Sequence, residues 1–349
     1  MGHRVVKSLI HIVRLFTFLF CLCLLLLSGC ATKWVVSDQP LEGRVQWPRP
    51  PETPRVQHIE AIVGFKETGT TLKTVIFGRG EEKFIRPVAI AAGADGRIAI
   101  ADSGCKCVHL YLPSGERYEK LFTFNQEEMV SPVGVTFDDE LRLYVSDSVL
   151  AKVLVFDKEG QYLFSIDKAS ALRLKRPTGL SFNPVKKLVY VVDTLENKVY
   201  AFDKRGEVSL SFGERGTEQG QFNYPTHIFW SGDRIYVTDA LNFRVQIFNL
   251  SGGFVSVFGR HGDGSGDFAM PKGIAVDKTG TIYVVDNLFD NIQLFNEQGE
   301  FLLTVGSRGT GQDEFWLPSG IFIDANDKLY LCDTFNQRIQ VFHLLGGPP

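Results

Sequence analysis

Six aspartates recur along the chain: Asp102, Asp147, Asp193, Asp239, Asp286 and Asp333, at steps of 45, 46, 46, 47 and 47 residues. Carboxylates gathered at one end of a fold are a potential metal site. Each one, however, closes an apolar run, where an Asp side chain accepts N–H groups of the following turn. A structural role is therefore expected for all six. Five residues beyond each Asp stand Cys107, Lys152, Lys198, Arg244, Asn291 and Arg338, of which four are cationic. Two residues beyond stand Gly104, Val149, Leu195, Leu241, Leu288 and Phe335, of which five are apolar. If the units superpose, these positions share one face and make a basic ring with apolar loop residues. Such a face suits a protein or an anionic glycan. Lys152, Lys198, Arg244, Arg338, Leu241 and Phe335 are the candidate partner contacts. The competing reading wedges the apolar residues between units and pairs the bases with neighbouring carboxylates.

Three further residue sets could carry chemistry. Cys105 and Cys107, one residue apart, permit a constrained local disulfide. A bridge to Cys332 is the alternative, and metal binding would require ligands the spacing does not identify. His227 stands alone where the equivalent residues are Ala89, Gly134, Gly179, Gly273 and Gly320. A hydrogen-bonded filler is favoured there over an ion ligand or base. Residues 260–267 resemble a calcium loop but lack its closing bidentate Glu. No G-x-S-x-G, H-E-x-x-H or phosphate-binding loop is present. No catalytic residue, metal or cofactor is expected.

The elements that must position these residues come from a repeat. A proline followed by a short apolar strand recurs at Pro87, Pro132, Pro177, Pro225, Pro271 and Pro318, with the same period as the aspartates. The unit around Pro271 is typical. Residues 273–277, 282–286, 291–295 and 301–306 are β-branched and aromatic, separated by Gly, Asp and Asn turns. Four short antiparallel strands every 40–50 residues or so mark a propeller blade. The 349 residues are 44% hydrophobic and 22% charged, with 28 Phe and 34 Gly, as many short strands and tight turns require.

These units resemble the NHL repeat. The likeness lies in Ile235-Tyr236-Val237-Thr238-Asp239 with Asn242-Phe243-Arg244-Val245-Gln246-Ile247-Phe248, and in Asp333-Thr334-Phe335-Asn336-Gln337-Arg338-Ile339-Gln340-Val341-Phe342. It implies an all-β, six-bladed β-propeller over residues 55–345, followed by a short tail at 346–349. The last unit lacks a fourth strand. Thr74-Val75-Ile76-Phe77-Gly78, with its connector Phe84-Ile85-Arg86-Pro87, reads as that strand. The last blade is then closed by an N-terminal strand, and Val56 to Val63 would add an outer one.

The N-terminus reads as an export signal. Arg4, Lys7 and Arg14 precede an apolar run of 13 residues, Leu15 to Leu27. That run is shorter than the roughly 20 residues a membrane span needs and has signal-peptide length. Leu27-Ser28-Gly29-Cys30 resembles a bacterial lipobox, which implies cleavage after residue 29 and lipidation of Cys30. Ala31 resembles the residue that sorts such proteins to the outer membrane. Residues 30–54, with four prolines among positions 47–54, read as an extended tether. Losing residues 1–29 takes the formal charge from −3 to −6. This disfavours nucleic acid, although animal NHL proteins bind RNA.

The resemblance supports two classes of function. The first is a non-enzymatic, monomeric envelope lipoprotein whose loop face binds a protein or polysaccharide, as in NHL domains of bacterial sensors and envelope proteins. The second is a metal-dependent propeller hydrolase, lactonase or lyase, which would need carboxylate, amide or imidazole ligands around its channel.

Overall fold

A computed structural model describes residues 32–49, 51–69 and 72–346. The expected signal segment and Cys30 lie outside the described residues. Five antiparallel four-stranded sheets follow one another at residues 87–121, 132–166, 177–212, 225–258 and 271–305, each with its strands in chain order. Neighbouring sheets meet through their first strands. Ile321–Ile323, the first strand of the last sheet, touches both Pro271–Val276 and Pro87–Ala92, so the first strands form a circle around a central channel. The chain is an all-β propeller.

Three recurrent sequence features build it. Middle strands such as Ile282–Asp286 and Leu143–Asp147 are buried throughout, because a sheet covers each face. Their β-branched and aromatic residues fit that two-sided burial. Small residues line the axis because the first strands crowd there. A Cβ on Gly134 would sit 2.2 Å from the Thr178 carbonyl oxygen, and one on Gly273 2.4 Å from that of Ser319. Between later sheets, Phe222, Phe268 and Phe315 are fully buried, each packed over a glycine with φ near +90° (Gly213, Gly259 and Gly306). There the left-handed backbone and the ring overhead both require Gly.

The last sheet corrects two sequence expectations. Its C-terminal strand Arg338–Leu344 pairs with Val56–Thr68, from Val56 opposite Leu344 to Ile62 opposite Ile339. The segment read as that strand, residues 74–78, belongs instead to a short helix, Leu72–Phe77. Burial explains the choice: Phe65, Ile62 and Ala61 are buried, whereas Phe77 is 82% exposed. Residues 32–54 are also no free tether. Lys33–Gln39 pairs along the far side of Val56–Thr68, and Gln46–Trp47 pairs with its start. Trp34 packs on Tyr118 at 4.9 Å and Trp47 on Phe342 at 5.9 Å. The two tryptophans supply apolar area that outweighs the extended bias of the prolines.

Candidate functional site

One end of the ring gathers the recurrent residues. In the five four-stranded sheets the starting proline lies opposite the second-strand aspartate, as in Pro87–Asp102 and Pro225–Asp239. The carboxylates tie that end together. Asp102 accepts the backbone N–H groups of Ile85, Arg86, Gly104 and Cys105. Asp286 does the same for Ala269, Met270, Leu288 and Phe289. Burial raises the pKa of Asp286, with these N–H bonds opposing it. For Asp102 burial pushes upward too, but the His109 contact and the N–H groups outweigh it and its pKa falls. These carboxylates staple the strand ends and the turns.

The basic ring expected on this face is not a set of free charges. Arg244 donates from Nε to Asp239 at 2.8 Å and from its terminal nitrogens to the carbonyls of Thr217, Glu218 and Gln221. Arg338 repeats the arrangement with Asp333, Gly311 and Glu314. Both guanidinium groups are largely buried clips between a sheet and the connector preceding it, and neither is presented to a partner. Lys152 pairs with Glu127 at 2.9 Å and lies over Phe124. Lys198, half-buried, has no ion-pair partner among the described residues. The apolar positions fare differently. Leu241 (41%) and Phe335 (43%) are exposed, as are Val149, Leu195 and Leu288 at the equivalent positions, so five apolar side chains ring the channel mouth. Phe335 is flanked by Trp316 at 5.7 Å and Arg86 at 5.4 Å.

Inside this rim lies a cavity of about 300 Å³ that sequence reasoning did not find. Its wall combines the residue after each proline, including Thr178, Thr226, Lys272 and Ser319, with Arg176, Tyr224 and Met270 before three of them and loop residues Ser148, Thr194 and Asn287. The Lys272 ammonium has no hydrogen-bond or ion-pair partner among the described residues, and burial lowers its pKa. Arg176 stacks over Tyr224 at 5.6 Å, and its side chain has no hydrogen-bond or ion-pair partner among the described residues. His227 marks the floor, with Nδ1 3.1 Å from the Thr226 hydroxyl. Burial and the Lys272 charge hold its pKa down to about 3, so the ring is neutral. Among the described residues no carboxylate lines this cavity or the narrow channel beneath it. Hydroxyls, cations and one imidazole do not fit a divalent metal. They fit an anion. The sequence signal was available, because Arg176, Thr178, Thr226, Lys272 and Ser319 all flank the marker prolines by one residue.

Cys105 and Cys107 are joined in a disulfide with a Cα separation of 5.3 Å, and Cys332 is a buried free thiol. No helix among the described residues is long and apolar enough to cross a membrane.

Comparison with known proteins shows what this architecture is similar to. Residues 216–288 and 278–348 match the model of a family, DUF5128, described as a 6-bladed beta-propeller. No curated protein sequence matches the chain. Among solved structures, a gluconolactonase from Xanthomonas campestris is 14% identical with a TM-score of 0.59, covering 88% of this chain and 100% of that one. A structural-genomics protein of unknown function from Bacteroides thetaiotaomicron is 15% identical with a TM-score of 0.58, covering 89% and 90%. A catalytically inactive virginiamycin B lyase from Staphylococcus aureus, solved with quinupristin, is 14% identical with a TM-score of 0.54, covering 74% and 95%. At these identities the likeness establishes the propeller fold alone.

Proposed function

We propose that the chain is a non-enzymatic binding module whose cavity takes an anionic group of an envelope protein or polysaccharide, while the apolar rim holds the surrounding surface. The observation that carries this reading is Lys272, without a partner among the described residues, in a cavity whose wall also holds Arg176 and hydroxyls and, among those residues, no carboxylate. A half-buried cation without a counter-ion is completed by an anion. In this reading the last sheet is the sixth blade of an NHL-type ring, with Val56–Thr68 as its fourth strand. The module is a monomeric outer-membrane lipoprotein, held through lipid on Cys30, with no nucleic-acid partner. Mass spectrometry of the N-terminal peptide tests the anchor: a diacylglyceryl adduct at Cys30 supports it, and an unmodified Cys30 refutes it.

The binding reading is tested by calorimetric titration with oligogalacturonate and with an acidic peptide, against neutral dextran and a neutral peptide. Binding of one acidic probe, lost in Lys272→Met and weakened by salt, is expected. Equal response to acidic and neutral probes would overturn it. The metal-dependent hydrolase or lyase is the second reading, supported by the propeller enzymes of similar fold. It requires a stoichiometric divalent cation in the purified protein, for which the channel offers no carboxylate.

A further inference from the structure

The first sheet departs from the fourth and the last at three linked positions. In the fourth sheet, Asn242, Arg244 and Gln246 stand three, five and seven residues past Asp239. All three side chains converge on one oxygen of that carboxylate, at 2.8, 2.8 and 3.0 Å. In the last sheet Asn336 and Arg338 converge on Asp333 in the same way, at 2.9 and 2.8 Å. The fold thus aims these positions at a common point. In the first sheet all three are replaced together, by Cys105, Cys107 and His109, next to Asp102. His109 Nε2 lies 3.7 Å from the Cys105 sulfur and 3.6 Å from that of Cys107. The three ligand atoms fall within 4.8 Å of one another.

The geometry points to a site for a soft monovalent cation, cuprous copper, formed when the Cys105–Cys107 disulfide is reduced. Two sulfurs and one imidazole are a soft donor set. With metal–sulfur near 2.3 Å and metal–nitrogen near 2.0 Å, a trigonal centre separates sulfur from nitrogen by about 3.7 Å. The observed separations match that value, so His109 already stands where such a centre needs it. The surroundings disfavour a fourth ligand. Asp102 Oδ1 accepts three backbone N–H groups, and Oδ2, 3.6 Å from His109 Nε2, accepts that of Ile85. Cys107 and His109 are fully buried, and Phe84 packs against the imidazole at 5.2 Å. Zinc, which prefers four tetrahedral ligands, would have to draw its fourth from Asp102 at the cost of the Ile85 N–H bond. His109 Nδ1 lies 2.7 Å from the Tyr118 hydroxyl, an outer partner that fixes the ring with Nε2 facing the sulfurs. Cys105, partly exposed in the turn, is the ligand that moves when the sulfurs part.

The chemistry balances. A dithiol reductant supplies two electrons and two protons by thiol–disulfide exchange, its own sulfurs becoming a disulfide, and the S–S bond opens to two thiols. Copper binding then releases both protons and forms two Cu–S bonds and one Cu–N bond. Disulfide and copper exclude each other because both use the same sulfurs.

The test loads the full chain with Cu(I) without oxygen, after phosphine reduction, in competition with bicinchoninate. One copper per reduced chain, close to none per oxidised chain, and X-ray absorption showing two sulfurs and one nitrogen are expected. Cys332→Ser should keep full loading, Tyr118→Phe should weaken it roughly 10–100-fold, and Cys105→Ser with Cys107→Ser should abolish it. The oxidised wild-type chain is a comparison that needs no substitution, so misfolding of a variant does not blunt the result. Equal loading of oxidised and reduced chains overturns the inference. So does retention of copper without both cysteines, or one tetrahedral zinc bound in preference to copper.

Discussion

Replacing Arg244 with alanine separates a structural clip from a docking residue. The Arg244–Asp239 pair is nearly sealed, with 13% of the arginine side chain and none of the aspartate exposed. Removing one partner of a buried pair costs about 3–5 kcal/mol, because it strands the other charge. Asn242 and Gln246 still reach Asp239, which places the loss near the lower end, about 3 kcal/mol. The carbonyls of Thr217 and Glu218 are in exposed residues and rehydrate, adding at most about 1 kcal/mol together. The comparison variant is Lys152→Ala. Its ion pair with Glu127 is solvent-accessible and is worth about 0–1 kcal/mol. Guanidinium unfolding followed by tryptophan fluorescence reads both. The pH response sharpens the test. Burial already raises the Asp239 pKa against the pull of its partners, and losing Arg244 raises it further. Above that raised pKa the carboxylate is ionised, buried and costly. As pH falls through it, the folded chain takes up a proton that the unfolded chain, with its lower pKa, does not yet hold, and stability returns. The Arg244→Ala deficit is therefore largest near neutrality and narrows as the pH falls. A deficit below about 1 kcal/mol, or one indistinguishable from that of Lys152→Ala, would refute the clip and restore Arg244 as a surface contact.

Phe65→Ala should cost about 3–5 kcal/mol and Phe77→Ser almost nothing, since Phe65 is buried in the last sheet and Phe77 is exposed; equal losses in chemical unfolding would reject Val56–Thr68 as the pairing strand. Gly134→Ala should destabilise by about 1–3 kcal/mol, because its Cβ would meet the Thr178 carbonyl oxygen at 2.2 Å, and an unchanged unfolding midpoint would contradict that approach of first strands. The His227 imidazole should stay neutral to about pH 3 in the free protein; an NMR titration with a midpoint near 6.5 would show an open ring. Anion binding should fade with rising pH below the ordinary lysine range, because burial lowers the Lys272 pKa. Affinity constant to pH 10.5 would remove Lys272 from the site.

The repeat was legible because each marker does the same work in all five four-stranded sheets. Proline opens the inner strand there and aspartate staples the strand ends, so one geometry wrote a period into the sequence. The pairing strand of the last sheet was not legible, because no turn joins it to Arg338–Leu344, and a partner nearly 300 positions away leaves no local signal. Strand-like letters at 74–77 competed, and only burial in the assembled sheet decided against them. The arginines misled for a related reason. Position five past the aspartate is cationic in four units, but Arg occurs only where a Gly-rich connector ending in Phe222 or Phe315 offers carbonyls to bind. Where hairpin connectors Thr123–Glu128 and Lys168–Arg173 precede the sheet, lysine stands instead, paired outward or unpaired. Read together with its connector, the same position separates clip from surface.

That coupling also locates the specificity of this face. Clipped arginines answer two of the six carboxylates, Asp239 and Asp333, and backbone N–H groups hold Asp102, Asp147, Asp193 and Asp286. Besides Lys198 at a strand start, positive charge without an ion-pair partner among the described residues lies inside the ring, at Lys272 and Arg176, where strand starts that are small or hydroxylic leave room for it. The exposed apolar side chains form the rim above, at the one loop position that packing does not claim. A partner is therefore selected by an acidic group that reaches inward past an apolar collar. A charged surface that merely faces the ring meets Arg244 and Arg338 already paired.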